Sequence, residues 1–245
     1  RKSCMELVRK CAGAVCLLGI MTGLLFLGRQ EGKLTADKEM KQAVTPEAKE
    51  AAGEGKSAEE EVRKIAITFD DGPHPKYTAE LLDGLKERGV VVTFFMTGEN
   101  AEANRELVKR AYEEGHLIGN HTYSHIQLTA GNREKFREEL IKTNGIIKEI
   151  TGEEVQYVRP PYGSWDKSFE KELNMFPVLW NVDPLDWCSS DVSCIVQKIV
   201  SKAEEDDIIL MHDYYETSVE AALQAIDILL EEGYTFVTVE EILFD

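Results

Sequence analysis

The stretch Lys64-Ile65-Ala66-Ile67-Thr68-Phe69-Asp70-Asp71-Gly72-Pro73 decides how the rest of the chain is read. Its first six residues are apolar except at Lys64 and Thr68, and no Gly or Pro breaks them. A strand buried on both faces has this composition. It ends in two adjacent acids followed by Gly-Pro, which is turn chemistry.

Working outward, the pattern repeats. Strand candidates at 91–96, 116–120, 155–159, 177–182, 207–211 and 234–238 come after the one at 64–69. Helical periodicity falls between several of them. Residues 78–88 align Leu81, Leu82 and Leu85, and 101–114 align Leu107, Val108 and Ala111. Residues 133–150 align Phe136, Leu140 and Ile147, and 216–231 align Val219, Leu223, Ile226 and Leu230. Gly89, Gly115, Gly152 and Gly233 come directly after these helices, where a left-handed cap is wanted. Strand–helix alternation implies a mostly parallel sheet. About seven strands suit an irregular barrel or a doubly wound sheet. The barrel is preferred because polar motifs lie just past the strand ends, where barrel sites are found.

Upstream the composition changes. Cys11 to Gly28 are 18 consecutive uncharged, mostly apolar residues preceded by Arg1, Lys2, Arg9 and Lys10. As a helix this run would be about 27 Å long, close to the ~30 Å hydrocarbon thickness, with its basic flank inside. Residues 1–28 therefore read as a basic segment and membrane anchor, with a cleaved signal peptide as the alternative. Either one exports the C-terminal part of the chain. Residues 29–63, rich in Ala, Glu, Lys and Gly and without aromatics, read as a flexible linker. Residues 64–245 form the folded domain.

The chain carries 45 acidic against 28 basic side chains, a net charge of −17. Residues 1–28 are net positive, so the acidity falls on the rest. Such a domain repels nucleic acid, whose binding needs basic contacts to phosphate. A neutral substrate, or one that becomes cationic, suits it better. Cys188 and Cys194 lie outside the leader, six apart. In an oxidising space they form either a local disulfide or two free thiols.

Five motifs carry the chemistry. His121 and His125 bracket Thr122-Tyr123-Ser124. On one helical turn both imidazoles would face one metal, with an acid as the usual third ligand. In Asp70-Asp71 one carboxylate can ligate while the other acts as a base. Arg159, before Pro160-Pro161, is either a surface residue or a fixed cation that keeps an acid ionised. Asp186, in Asp183-Pro184-Leu185-Asp186-Trp187, either caps a helix or orients a histidine. His212, after Leu210-Met211, is either a core histidine or a general acid. His74 and His116 read as structural.

With these motifs in this order, residues 64–245 resemble the polysaccharide deacetylase family with a NodB-homology domain, carbohydrate esterase family 4. The resemblance implies a distorted (β/α) barrel with a shallow groove. It implies Asp70 as catalytic base, Arg159 pinning it, and Asp71, His121 and His125 as ligands of a divalent metal, zinc first, with cobalt or manganese possible. It further implies the backbone N–H of Tyr162 at the oxyanion, His212 as general acid tuned by Asp186, and Trp187 with Leu210 lining the acetyl methyl pocket. The expected activity is N-acetyl hydrolysis on a cell-surface polysaccharide. Peptidoglycan N-acetylglucosamine comes first, given a wall-facing single-pass protein of the bacterial membrane, or a secreted one if the leader is cleaved. Chitin-like oligomers, O-acetyl xylan and a non-catalytic glycan-binding role are the alternatives.

Overall fold

The structure is a computed structural model that describes residues 62–244. The anchor and nearly all of the linker lie outside these residues. Among the described residues no helix is long and apolar enough to cross a membrane.

Seven parallel strands form one sheet: β1 (Arg63–Asp70), β2 (Thr93–Met96), β3 (Leu117–Asn120), β4 (Tyr157–Val158), β5 (Phe176–Pro177), β6 (Ile208–His212) and β7 (Tyr234–Phe236). The order is β5-β4-β3-β2-β1-β6, with β7 beside the first residues of β1. The sheet curls: Val182 bridges to Ile209 of β6, and Val178 N–H donates to Val158 of β4. Residues 176–182 thus span both ends of the sheet. β1 begins at Arg63, one residue inside the expected linker.

Helices cover the outside: α1 (Tyr77–Arg88), α2 (Gly98–Ala103), α3 (Arg105–Glu113), α4 (Arg133–Thr151), α5 (Ser168–Leu173), α6 (Val192–Val200) and α7 (Glu216–Glu231), whereas α8 (Val239–Phe244) places Val239 in one cluster with Ala66 and Phe95. Gly89 and Gly152 end α1 and α4 at φ of 63° and 85°. The expected helix over 101–114 is two, broken at Asn104. There the side-chain amide donates to the carbonyls of Pro73 and Asn100. On α7 the buried stripe runs through Val219, Ala222, Ala225, Ile226 and Leu229, leaving Leu230 exposed.

Strand alternation sorts the sheet's two faces. Ile65, Ile67 and Phe69 of β1 join Phe94, Met96, Ile209 and Met211 in the core beneath the helices. Ala66, Phe95, Tyr157, Val178 and Ile208 form a second cluster on the inner face. Thr68 and Asp70 share that inner face with Ala66. The parallel register pairs Thr68 with Leu210 and Asp70 with His212. A base candidate and an acid candidate thus stand level on neighbouring strands.

Candidate active site

The inner face changes from apolar to polar toward the strands' C-terminal ends. Arg159, fully buried after β4, spans the change. Its Nη1 donates to Asp70 Oδ1 at 2.9 Å and to Thr68 Oγ1 at 2.5 Å. Nε and Nη2 donate to the carbonyls of Val178 and Leu179 at 3.2 and 3.1 Å. The guanidinium lies 4.3 Å from the Phe95 ring centroid. Burial pushes the Asp70 carboxyl above its ordinary range, opposed by the charges of Arg159 and His212. Arg159 therefore positions Asp70, and the surface alternative falls.

Asp71 sits at φ 76°, a left-handed conformation costly for a residue with a Cβ. Asn100 Nδ2 donates to its carbonyl at 2.7 Å. This turn separates the two acids. Asp71 Oδ1 lies 3.6 Å from His121 Nε2 and 3.5 Å from His125 Nε2. At the next residue, a Cβ on Gly72 would come within 2.3 Å of the Asp213 carboxylate.

The two histidines do not share a helical turn. Residues 121–125 form a loop with Thr122 at φ 62° and His125 at φ 55°. Side chains below hold it. Asn120 Oδ1 accepts from Thr122 N–H at 2.7 Å, and Glu139 accepts from the Ser124 N–H and hydroxyl at 3.0 and 2.8 Å. The rings still meet, with centroids 4.9 Å apart. Both supports escaped the sequence reading, yet each had a signal. Asn120 is a polar end to an apolar strand, and Glu139 is an acid on the buried stripe of α4.

Asp71, His121 and His125 bring ligand atoms within 4.8 Å of one another, the metal-ligating group found among the described residues. The donor set fits a divalent transition metal. His121 Nδ1 pairs with the Arg159 carbonyl at 2.6 Å. That bond puts the proton on Nδ1 and leaves the Nε2 lone pair facing the cluster. Burial lowers the His121 pKa to about 3, despite the attraction of Asp71, so the ring is neutral and able to ligate. Three protein ligands leave coordination positions open.

Asp186 is buried at the start of a 3-10 turn, Asp186–Cys188, after Leu185 at φ 60°. It caps no α-helix. Oδ1 lies 2.9 Å from His212 Nδ1, and Oδ2 accepts the His212 backbone N–H at 2.9 Å. Burial disfavours the His212 cation, but the hydrogen bond and charge of Asp186, with Asp70 and Asp71, prevail and raise its pKa to about 9. Leu210 is buried two residues before His212 on the same face. Trp187 and Tyr162 are exposed at 45% and 68%. Tyr162, at φ 59°, meets His125 edge-on at 5.1 Å.

His74 and His116, read as structural, both accept backbone N–H groups. His74 Nδ1 accepts the N–H groups of Lys76 and Tyr77 at the start of α1. His116 Nδ1 accepts from Val92 N–H, and burial lowers its pKa to about 4. Asp213, adjacent to His212, is buried with its carboxyl raised to about 7 by burial and bonded by the Thr78 hydroxyl. Cys194 is half-buried in α6 and Cys188 is exposed; no disulfide joins them.

Residues 57–178 match the family described as Polysaccharide deacetylase. A Bacillus cereus protein named Peptidoglycan-N-acetylglucosamine deacetylase is 38% identical over 182 residues, covering 71% of this chain and 66% of that protein. A Rhizobium leguminosarum Chitooligosaccharide deacetylase is 39% identical over 155 residues, 62% of this chain and 72% of that one. Bacillus subtilis PdaC, named Peptidoglycan-N-acetylmuramic acid deacetylase, is 38% identical over 73% of this chain, which spans only 38% of PdaC's length. The solved structure of the PdaC deacetylase superposes with a TM-score of 0.72, covering 74% of this chain and 90% of that one. By these likenesses in sequence and fold, the chain belongs to the polysaccharide deacetylase family.

Proposed function

We propose that the protein removes N-acetyl groups from aminosugars of a cell-surface polysaccharide, peptidoglycan N-acetylglucosamine first. The observation that carries this reading is the level pairing of Asp70 with His212 on neighbouring strands, beside a three-ligand cluster. Hydrolysis of an amide needs a proton taken from water and one given to the leaving amine.

Asp71, His121 and His125 would hold the divalent cation, zinc first. When bound it supplies Lewis acidity to the acetyl carbonyl and to water. Asp70, fixed by Arg159, takes the proton of the attacking water. A C–O bond forms at the acetyl carbon, and the Tyr162 backbone N–H is assigned to the developing oxyanion. His212 keeps Nδ1 on Asp186, so Nε2 carries the proton delivered to the nitrogen as the C–N bond breaks. Acetate and a cationic aminosugar leave, and the acidic domain does not repel the cation. Trp187 and Leu210 are assigned to the acetyl methyl. Residues 11–28 are read as the anchor that holds the domain toward the wall, with cleavage the alternative.

A second reading, deacetylation of chito-oligomers, is supported by the likeness to the Rhizobium protein. Acetate release from peptidoglycan, chitotetraose and acetylated xylan, with and without chelator, tests both. Chelator-sensitive release fastest from peptidoglycan is expected. Faster release from chitotetraose would favour the second reading, and release only from xylan would overturn both.

A further inference from the structure

The ladder of β1 stops at Asp70, whose register partners are Phe95 and His212. Asp71 and Gly72 lie beyond it, so no strand pairing fixes them. On one side they are gripped from the start of α2. Asn100 Nδ2 donates to the Asp71 carbonyl at 2.7 Å, and Thr97 N–H donates to the Gly72 carbonyl at 3.2 Å. On the other side stands a single carboxyl group, that of Asp213.

Strand alternation turns Asp213 away from His212, toward the face beneath the helices, where it is fully buried. One of its oxygens accepts the hydroxyl of Thr78 in α1, and that hydroxyl accepts the His74 N–H at 2.7 Å. The other oxygen has no hydrogen-bond partner among the described residues. An acid buried with an unpaired oxygen costs stability, so packing alone does not account for it. The same group explains Gly72. Gly72 is not at positive φ, yet the three atoms nearest to a Cβ built there all belong to the Asp213 carboxyl group, with Cγ at 2.6 Å. Residue 72 is a glycine because that carboxyl group stands where its side chain would be.

We propose that Asp213 is a positioning residue of the ligand cluster. Its carboxyl group is the stop on which the Asp71-Gly72 turn rests, and it holds Asp71 at the strained φ from which Oδ1 faces His121 and His125. The inference rests on the reading of that cluster as a metal site. The stop acts by shape, so Asn replaces it and Ala does not.

Zinc calorimetry on the metal-free full chain tests this, with acetate release measured alongside. Asp213→Ala should weaken zinc binding about tenfold or more, as loss of a residue supporting a metal ligand does. Asp213→Asn should stay within about threefold of wild type. Gly72→Ala should weaken zinc about tenfold on its own. In the Asp213→Ala background its methyl takes the freed space, and affinity should return to within about threefold of wild type. A residue that only fastens the loop to α1 through Thr78 would give no such reversal, because the double variant restores no hydrogen bond. Should Gly72→Ala alone fail to fold, recovery of folding in the double variant reads the same coupling. An Ala variant that binds zinc like wild type, an Asn variant as weak as Ala, or a double variant weaker than Asp213→Ala would overturn the role. A wild type that binds no zinc would overturn it together with the metal reading. The expected zinc pattern in a protein that releases no acetate would uphold Asp213 and sink the deacetylase reading.

Discussion

The inner and outer halves of the site are built differently. The inner half, Thr68, Asp70, Arg159, Asp186 and His212, is almost wholly buried, and its groups bond one another or neighbouring backbone. Strand alternation and parallel register place most of it. The outer half, Asp71, His125, Tyr162 and Trp187, is partly exposed and stands on loops. Asp71, His125 and Tyr162 all have positive φ, as do Thr122 and Leu185 nearby. Strain is concentrated where ligand and substrate arrive, and the cost is borne by the buried half and by α4. Loss of an inner residue should therefore damage stability and activity together, whereas loss of an outer one should separate them.

Arg159→Met should give the largest loss of stability. It strands Asp70 in the core and frees the Val178 and Leu179 carbonyls. Breaking a buried pair this way costs roughly 3–5 kcal/mol. Urea unfolding should lose that much, with acetate release down at least ~100-fold. A variant that unfolds like wild type would show that Asp70 was not relying on the pair. His125→Ala is the outer counterpart. It should abolish measurable acetate release and weaken zinc binding, yet shift the metal-free unfolding free energy by less than about 1 kcal/mol. A large metal-free loss would erase the distinction between the halves.

Asp186→Asn should act on the pH profile. In the proposed mechanism His212 acts in its protonated form, so activity should fall as pH rises through about 9. Removing the Asp186 charge lets burial lower the His212 pKa, so the alkaline limb should move to lower pH. The rate at pH 7 should drop about tenfold or more. Stability has the same sign. The raised pKa contributes fully below ~6.5, and the contribution is lost as pH climbs through about 9. An unmoved alkaline limb would assign it to another group.

The same division explains what the sequence revealed. The unbroken run at 64–69 made β1 legible, and the motif after it marked the acids. Residues 177–182 read as one strand, but only Phe176–Pro177 pairs regularly before Val182 rejoins. Arg159 takes the Val178 and Leu179 carbonyls in between, a tertiary demand that local propensity does not record. The helix expected over 101–114 breaks for a similar reason, because the Asn104 side chain bonds back to Pro73. The histidine pair was legible as a ligand pair and illegible as a loop. Four-residue spacing fits a helical turn, whereas the actual path depends on Asn120 and Glu139.

Glu139→Gln probes that dependence with the smallest expected effect. Glu139 is nearly buried on α4, and its two oxygens take the hydroxyl and N–H of Ser124, one residue before His125. Gln preserves the length and the acceptor for the Ser124 N–H, but its amide must donate to the Ser124 hydroxyl, which turns from donor to acceptor, and the charge that strengthens both bonds is lost. About 1–2 kcal/mol of stability should be lost. Supporting residues around a metal typically contribute 10–100-fold to affinity, so zinc should bind about tenfold more weakly. At saturating zinc, kcat should return to within about threefold of wild type, because the inner half is untouched. If kcat stays low at saturating zinc, the loop positions more than the ligand, and the two halves are coupled through α4.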